Sequence, residues 1–223
     1  MNDNWKHFFS CIYPKKKLEC HNYTLMFHSV RNNPTDRYQI SQQNFAEILN
    51  LTIDIKPNIE VCFDDGLENI YKNTREIVRD FRIKPTMFLS TRLIGSPGYL
   101  SNKQVDVLLS EGWIMGGHGH DHIPLGKLDN SDCKLQLIKS YQVLNNIVGK
   151  NCKIPMSLPF GSYNSSTIMQ AKQAGFSTCY NSILGGWDDD DFFRKRIEIW
   201  KSDNLKTVTR KLHGKYNFLG KKL

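Results

Sequence analysis

The strongest constraint on the fold of this 223-residue chain is a regular alternation of short apolar runs with segments of helical periodicity. The alternation predicts a parallel β-sheet covered by helices, and about seven β-α units favour a closed barrel over an open sheet. The predicted strands are 23–29, 59–63, 85–89, 113–115, 154–158, 177–180 and 196–199. The predicted helices are 41–51, 67–81, 101–111, 129–148, 164–174 and 204–212.

Polar motifs follow three of these strands. Asp64-Asp65-Gly66 ends one strand, a glycine- and histidine-rich segment at 116–122 follows another, and 157–164 ends a third. The chemistry of a β/α barrel gathers in the loops after its strands, so we expect the three motifs to meet. Taken singly, an Asp-Asp-Gly sequence is also typical of a solvated turn, and 157–164 of a proline-glycine turn.

The first two motifs supply a carboxylate and two imidazoles. His118 and His122 are four residues apart, and together with one aspartate they form a common ligand set for a catalytic zinc with an open position. The other aspartate is left as a base for metal-assisted hydrolysis. Adjacent carboxylates in one pocket would raise a pKa unless a cation lies beside them, and a divalent metal meets that need. Asp121 is predicted to orient a liganding imidazole.

Together the motifs resemble those of the polysaccharide deacetylases, the NodB-homology enzymes of carbohydrate esterase family 4. Segment 63–66, Phe-Asp-Asp-Gly, is similar to the family's first motif, and segment 118–122, His-Gly-His-Asp-His, to its second. Segment 159–163, Pro-Phe-Gly-Ser-Tyr, is similar to its third. The resemblance runs from about residue 23 to residue 199 and implies a distorted (β/α)7 barrel in a single domain.

The resemblance also implies roles. Asp65, His118 and His122 would bind a divalent metal, with zinc as the first choice and cobalt, manganese or nickel as alternatives. Asp64 would be the general base that takes a proton from water, and the backbone N–H of Phe160 would help to bind the oxyanion. The remaining candidates are His120 as a catalytic or substrate-facing residue and four substrate-binding residues: Pro159, Gly161, Tyr163 and His28.

Two departures from the family pattern stand out. Many members carry an arginine, which steadies the base, where this chain has Ser157, and the late histidine that serves as general acid has no clear counterpart. His213 lies in an unsuitable basic setting, which leaves His28 and His120 as candidates for the acid. The acidic run 188–191 lies near the expected place of a fourth motif, but it is also typical of a solvated loop.

Composition places limits on the partners. The net charge is +8, but the basic residues are scattered and no nucleic-acid-binding motif accompanies them, so we expect no nucleic-acid partner. No signal peptide or membrane-spanning run is evident, and the cysteines are predicted to be reduced, which favours the cytoplasm. Trp5, Phe8, Phe9 and Ile12 precede Lys15 to Lys17 with helical spacing, a pattern typical either of peripheral contact with anionic membrane or of ordinary packing.

The sequence therefore predicts a metal-dependent N-deacetylase of an amino sugar. Its substrate would be a bacterial surface glycan or a lipid-linked or nucleotide-sugar precursor. Two alternatives stay open: a carbohydrate-binding relative without activity, and a metal hydrolase of a formyl amide or an ester. We expect an N-terminal extension at 1–22, a catalytic domain at 23–200 and a C-terminal helix with a basic tail at 201–223.

Overall fold

The computed structural model describes residues 22–55, 59–189 and 191–217. Seven parallel strands close into one barrel, in the order β1-β4-β5-β6-β7-β8-β9, and β9 returns to pair with β1. The barrel strands are β1 (Thr24–Phe27), β4 (Glu60–Phe63), β5 (Thr86–Leu89), β6 (Ile114–Gly117), β7 (Pro155–Ser157), β8 (Thr178–Leu184) and β9 (Phe193–Glu198). The predicted single-domain (β/α)7 barrel is confirmed.

Two strands were missed by the sequence analysis because each has only two residues. These are β2 (Ser29–Val30) and β3 (Gln39–Ile40), which pair with each other outside the barrel. The 31–38 segment connects them and begins shortly after the end of β1. Several of its residues lie in the same cleft as Asp64, Asp65, His118 and His122, so it stands at the edge of the barrel where the predicted polar motifs emerge.

All six predicted helices are present. They are α1 (Gln42–Ile55), α2 (Glu68–Asp80), α3 (Asn102–Ser110), α4 (Asn130–Val148), α5 (Ser165–Ala174) and α6 (Leu205–Leu212). Polar side chains fix most of the starts: Ser101, Asp129, Asn164 and Asn204 each accept a hydrogen bond from the backbone N–H three residues ahead. Such caps satisfy N–H groups that have no partner within the helix.

The strands divide their side chains between two layers. Met26, Cys62, Phe88 and Tyr180 fill the barrel interior, while the alternate positions, such as Phe27 and Phe63, pack under the helices. This alternation matters for function. A residue two places beyond an interior side chain points toward the open end of the barrel.

Packing against aromatic rings explains the two glycines of β6. A Cβ atom on Gly116 would lie 2.6 Å from the Phe88 ring, and one on Gly117 would lie 2.9 Å from the Phe176 ring. The absence of side chains at the two glycines leaves room for aromatic rings on both sides of β6. This packing fixes the backbone that leads directly to His118.

Asp189, in the acidic run, lies at the opposite end of the barrel from the three motifs. Trp187 pairs with Asn22, just before β1, and the Asn22 side chain donates to Asp189 at 2.7 Å. This placement favours the structural interpretation of the run over a fourth catalytic motif.

Parts of the sequence predictions lie outside the described residues. The aromatic and lysine stripe within 1–21 is among them, as are residues 218–223. The proposed boundaries at 22 and 200 therefore stay predictions. Among the helices that the structure describes, none is both long and apolar enough to cross a membrane.

Candidate active site

Asp64 and Asp65 reach the same space by different backbone routes. Asp64 follows Cys62 by two residues and so continues the interior face of β4. Strict alternation would send Asp65 outward, but its φ angle of 73° places it in the left-handed region and turns it back. Gly66, with φ 77°, continues the turn. Both carboxylates therefore line the same cleft.

Asp65, His118 and His122 form a compact cluster of metal-ligating atoms. The Nε2 atoms of His118 and His122 lie 3.3 Å and 3.1 Å from Asp65 Oδ1. One donor atom from each of the three residues lies within 4.8 Å of the others. One carboxylate and two imidazoles suit a divalent metal with open positions, so the donor set fits the group that the sequence predicts.

The backbone of β7 fixes the ring of His118. Its Nδ1 lies 3.0 Å from the carbonyl oxygen of Ser157, so an N–H there donates to the strand and Nε2 faces the cluster. The prediction that Asp121 orients an imidazole is wrong. Its carboxylate accepts hydrogen bonds from Gln136 at 2.5 Å and from Arg92 at 3.1 Å.

A fully buried ion pair holds Asp64. The Arg196 guanidinium, from β9, donates from Nη1 to Oδ1 at 2.7 Å and from Nη2 to Oδ2 at 2.9 Å. Ser157 donates from its hydroxyl to Oδ2 at 3.0 Å and accepts from Arg196 Nη2 at 2.8 Å. Arg196 Nε also donates to the Asn181 carbonyl, so the guanidinium is anchored on three sides. An arginine thus contacts this carboxylate even though Ser157 occupies the family's usual arginine position.

The electrostatic environment keeps Asp64 ionised. Burial alone would raise the pKa of Asp64, but the charge of Arg196, aided by His118, outweighs it and lowers the pKa. Burial likewise opposes the charge of Arg196, and the pairing with Asp64 raises the pKa of this guanidinium. Nearby, burial raises the pKa of the Cys62 thiol to about 12, so this cysteine stays a neutral neighbour. Asp64 therefore remains a charged carboxylate inside the barrel.

The Asp65, His118 and His122 cluster and the Asp64 carboxylate open into a cleft of about 480 Å³. His28, two residues beyond the interior Met26, lines the same cleft, and so does Phe160. The Phe160 ring is 68% exposed and lies 4.8 Å from the His122 ring. The other lining residues include Ser29, Arg31, Asp36, Arg37, Tyr38, Gln39, Leu158, Ser182 and Glu198.

Not every predicted site residue lines this cleft. Nδ1 of His120 is 2.8 Å from the Thr91 hydroxyl, and His213 caps the end of α6 against the Thr209 carbonyl. Tyr163 packs edge-on against Phe193. Pro159 and Gly161 form part of the third loop and are not among the residues that line the cleft. A Cβ atom on Gly161 would lie 2.9 Å from the Ser182 hydroxyl.

Backbone strain concentrates at this site. Five non-glycine residues in the described part of the chain have positive φ, and three of them are Asp65, His122 and Phe160. Such conformations persist only where the surrounding structure holds them, and they are common at functional sites. Phe160, with φ 57°, is the least expected of the three because a bulky side chain disfavours this region.

The family's sequence model for "Polysaccharide deacetylase" matches residues 54–179, more than half of the chain. This chain belongs to the polysaccharide deacetylase family. The match begins in α1 and includes all three polar motifs, and it stops before β9 and therefore before Arg196.

Two relatives illustrate the sequence similarity. The poly-beta-1,6-N-acetyl-D-glucosamine N-deacetylase of Staphylococcus epidermidis is 31% identical over 177 residues, covering 71% of this chain and 60% of the relative. The peptidoglycan-N-acetylglucosamine deacetylase of Bacillus cereus is 23% identical over 160 residues, covering 71% and 52%. The chain thus matches between half and two thirds of each relative's length.

Solved structures show the same fold. The Streptococcus pyogenes deacetylase PplD in complex with acetate superposes with a TM-score of 0.75 at 18% identity, covering 85% of this chain and 96% of PplD. IcaB from Ammonifex degensii gives 0.74 at 17% identity, covering 86% and 97%. At these identities the similarity establishes the barrel.

Metal binding is the first testable property of the cluster. His118→Ala and His122→Ala each remove one of three donors, so we expect each to weaken zinc binding strongly and the double variant to lose it. His120→Gln is the matched control, because its ring bonds Thr91 and it should bind zinc normally. Calorimetric titration with zinc measures this, and full zinc occupancy in the double variant would show that the cluster is not the site.

The buried pair can be tested through stability. Arg196→Gln leaves the Asp64 carboxylate buried without its cation, and we expect a loss of roughly 3–5 kcal/mol in the free energy of unfolding. Asp64→Asn combined with Arg196→Gln removes both charges and should recover a large part of this loss. Urea denaturation of the four proteins closes the double-mutant cycle. Strictly additive effects would mean that the two side chains are not coupled.

Proposed function

We propose that this protein is a metal-dependent N-deacetylase that removes an acetyl group from an amino sugar of a bacterial surface polysaccharide or its precursor. One observation carries the proposal. The cluster of three metal-ligating side chains and a separately held carboxylate, Asp64, open into the same cleft. Hydrolysis of an amide needs both a polarised carbonyl and a base, and this arrangement can supply them.

Asp65, His118 and His122 would hold the metal. A divalent ion bound there supplies a Lewis acid and lowers the pKa of nearby water. Asp64 accepts a proton from the attacking water. Its contacts with Arg196 and Ser157 fix the orientation of the carboxylate, which keeps the base in place before the substrate arrives.

The third loop would stabilise charge on the carbonyl oxygen. The left-handed conformation of Phe160 places its exposed ring at the rim of the cleft beside His122. We assign the Phe160 N–H as donor to the oxyanion, as the family resemblance implies. A donor fixed in a rigid loop needs no rearrangement when this charge develops.

His28 is our choice as the general acid. It lines the cleft, whereas His120 and His213 are bonded elsewhere. Its Nδ1 has no hydrogen-bond partner within the described residues and lies 3.9 Å from Glu198 Oε1. When it is protonated, the imidazole of His28 gives its proton to the leaving amine.

The alternative of a carbohydrate-binding relative without activity rested on two absences, the arginine and the late histidine. Arg196 now supplies a guanidinium at the base, and His28 supplies an imidazole in the cleft. Both observations favour an active enzyme over a carbohydrate-binding relative without activity. The names of the relatives, which include deacetylases of two N-acetylglucosamine polymers, favour an N-acetylated glycan as substrate.

Loss of the base should stop turnover without loss of metal. Asp64→Asn keeps the shape of the side chain but removes the basic oxygen, so we expect acetate release from N-acetylated glycans to fall by about 10²-fold or more. Zinc content should stay normal. Asp106→Asn, on the exposed face of α3, is the control and should keep full activity. A near-normal rate in Asp64→Asn would contradict the assigned role.

The general acid can be identified by comparing rates on substrates whose leaving groups differ in their need for a proton. An amine leaves only when protonated, whereas the phenolate of an aryl acetate leaves without help. We therefore expect His28→Gln to lose about 10²-fold on an N-acetyl sugar and much less on the aryl ester. His213→Gln should keep both rates. A larger selective loss in His120→Gln would transfer the role to His120.

The charge beside Asp64 should appear in the pH profile. The Arg196 guanidinium helps to lower the pKa of Asp64, so weakening this contact lets the carboxylate take up a proton at higher pH. Arg196→Lys keeps the charge but loses the two-pronged contact, and we expect the acid limb of kcat/KM to move upward in pH. An unchanged limb, with zinc content normal, would contradict this.

A further inference from the structure

One wall of the cleft is basic. It is formed by the segment between β2 and β3 together with the first residue of β3, which we call the 31–39 wall, and it contributes Arg31 and Arg37 to the lining. Neither residue belongs to the three motifs. The deacetylation chemistry proposed above uses neither of them.

The Arg37 guanidinium is held between two aromatic rings. Its Cζ lies 4.7 Å from the centroid of Tyr38 and 4.6 Å from that of Trp200, and such stacking leaves the N–H edge free. The segment after β9 pins the backbone. Lys201 N donates to the Arg37 carbonyl at 2.9 Å, and Lys201 Nζ donates to the Pro34 carbonyl at 2.9 Å. Arg37 is therefore positioned before any ligand binds.

The two arginines have no carboxylate partner in the described part of the chain. Asp36 is the nearest in sequence, but its carboxylate accepts from the backbone N–H of Tyr38 at 2.8 Å and from the Gln39 side chain. Arg31 donates from Nε to the Ser29 hydroxyl at 3.3 Å. Both guanidinium charges thus remain available to a ligand.

The other acidic residues of the cleft lie beside groups other than Arg31 and Arg37. Asp64 is paired with Arg196, Asp65 belongs to the metal cluster, and Glu198 lies beside His28. The cleft is therefore divided into a catalytic side and a basic wall. The two sides are close, because the Tyr38 ring that stacks on Arg37 also lies 4.9 Å from the His28 ring.

We propose that the 31–39 wall binds an oxyanion carried by the substrate, a phosphate or a carboxylate attached to the reacting N-acyl amino sugar or to the next sugar. This inference rests on the proposed deacetylase function and narrows its substrate class. A guanidinium binds either group through paired N–H donors, and a preorganised one loses little entropy on binding. The enzyme would therefore prefer acidic amino-sugar glycans over neutral ones.

The test compares one N-acetylated disaccharide in four forms. N,N′-diacetylchitobiose is the neutral form, its 1-phosphate and 6-phosphate test phosphate, and its aldonic acid tests carboxylate. We expect kcat/KM of the zinc-loaded protein to favour at least one anionic form by about tenfold or more, the scale of one charge-assisted hydrogen bond. The preference should shrink in high salt.

Variants locate the preference. Arg37→Gln and Arg31→Gln should each lower kcat/KM for the preferred anionic form about tenfold and leave the neutral form nearly unchanged. Arg37→Lys, which keeps the charge, should retain part of the preference. Arg79→Gln, exposed on α2 and away from the cleft, is the matched control. Equal rates on all four forms, or an equal loss on all four in Arg37→Gln, would overturn the inference.

A binding measurement separates this inference from the proposed function. Calorimetry of the four disaccharides with zinc-loaded Asp64→Asn reports affinity without turnover. Tighter binding of an anionic form that Arg37→Gln abolishes, with no acetate release from any form by the parent protein, would retain the basic wall and reject the deacetylase. Turnover without any preference for an anionic form would retain the deacetylase and reject the basic wall. Absence of both binding and turnover would reject both.

Discussion

The arrangement of the active site depends on one buried ion pair. Arg196 places a guanidinium in the barrel interior, where an isolated charge would be very costly, and Asp64 and Ser157 compensate it. The pair joins β4 to β9 across the barrel and fixes the Asp64 carboxylate. Because the Ser157 hydroxyl contacts Asp64 and its carbonyl orients His118, one residue of β7 helps to align both Asp64 and the cluster of metal-ligating side chains. The two halves of the proposed chemistry therefore share one support.

The pair also shows how a contact that the family's third motif usually supplies can come from another strand. The third motif lacks the arginine at Ser157, and the matched region ends at residue 179, before β9. A guanidinium entering from another strand reaches the same carboxylate because all seven strands converge on one small interior. A cation therefore lies beside Asp64, although the position in the sequence that provides it differs from the family's usual one. Chains that lack the motif arginine should be examined for one facing inward on another strand.

The sequence could predict the barrel and the three motifs because both are local patterns. Apolar runs, caps such as Asp129 and the Asp-Asp-Gly turn are visible within a few residues. Arg196 was missed because its partner is 132 positions away, although Arg194, Arg196 and Glu198 form a period-two polar pattern that indicates interior positions. The role predicted for Asp121 was wrong for the same reason, since it depended on contacts with Gln136 and Arg92 that only the fold creates.

Barrel closure has a consequence for the folding of a newly synthesised chain. β9 completes the barrel by placing Ile197 beside Leu25, a pairing between the two ends of the fold that forms late because of its large sequence separation. Until it forms, Asp64 lacks its guanidinium, and the Lys201 contact that anchors the wall around Arg37 is missing. Under the proposed function, a ribosome-bound chain that has already exposed all three motifs should therefore release no acetate. Release would begin only when synthesis has passed the last strand.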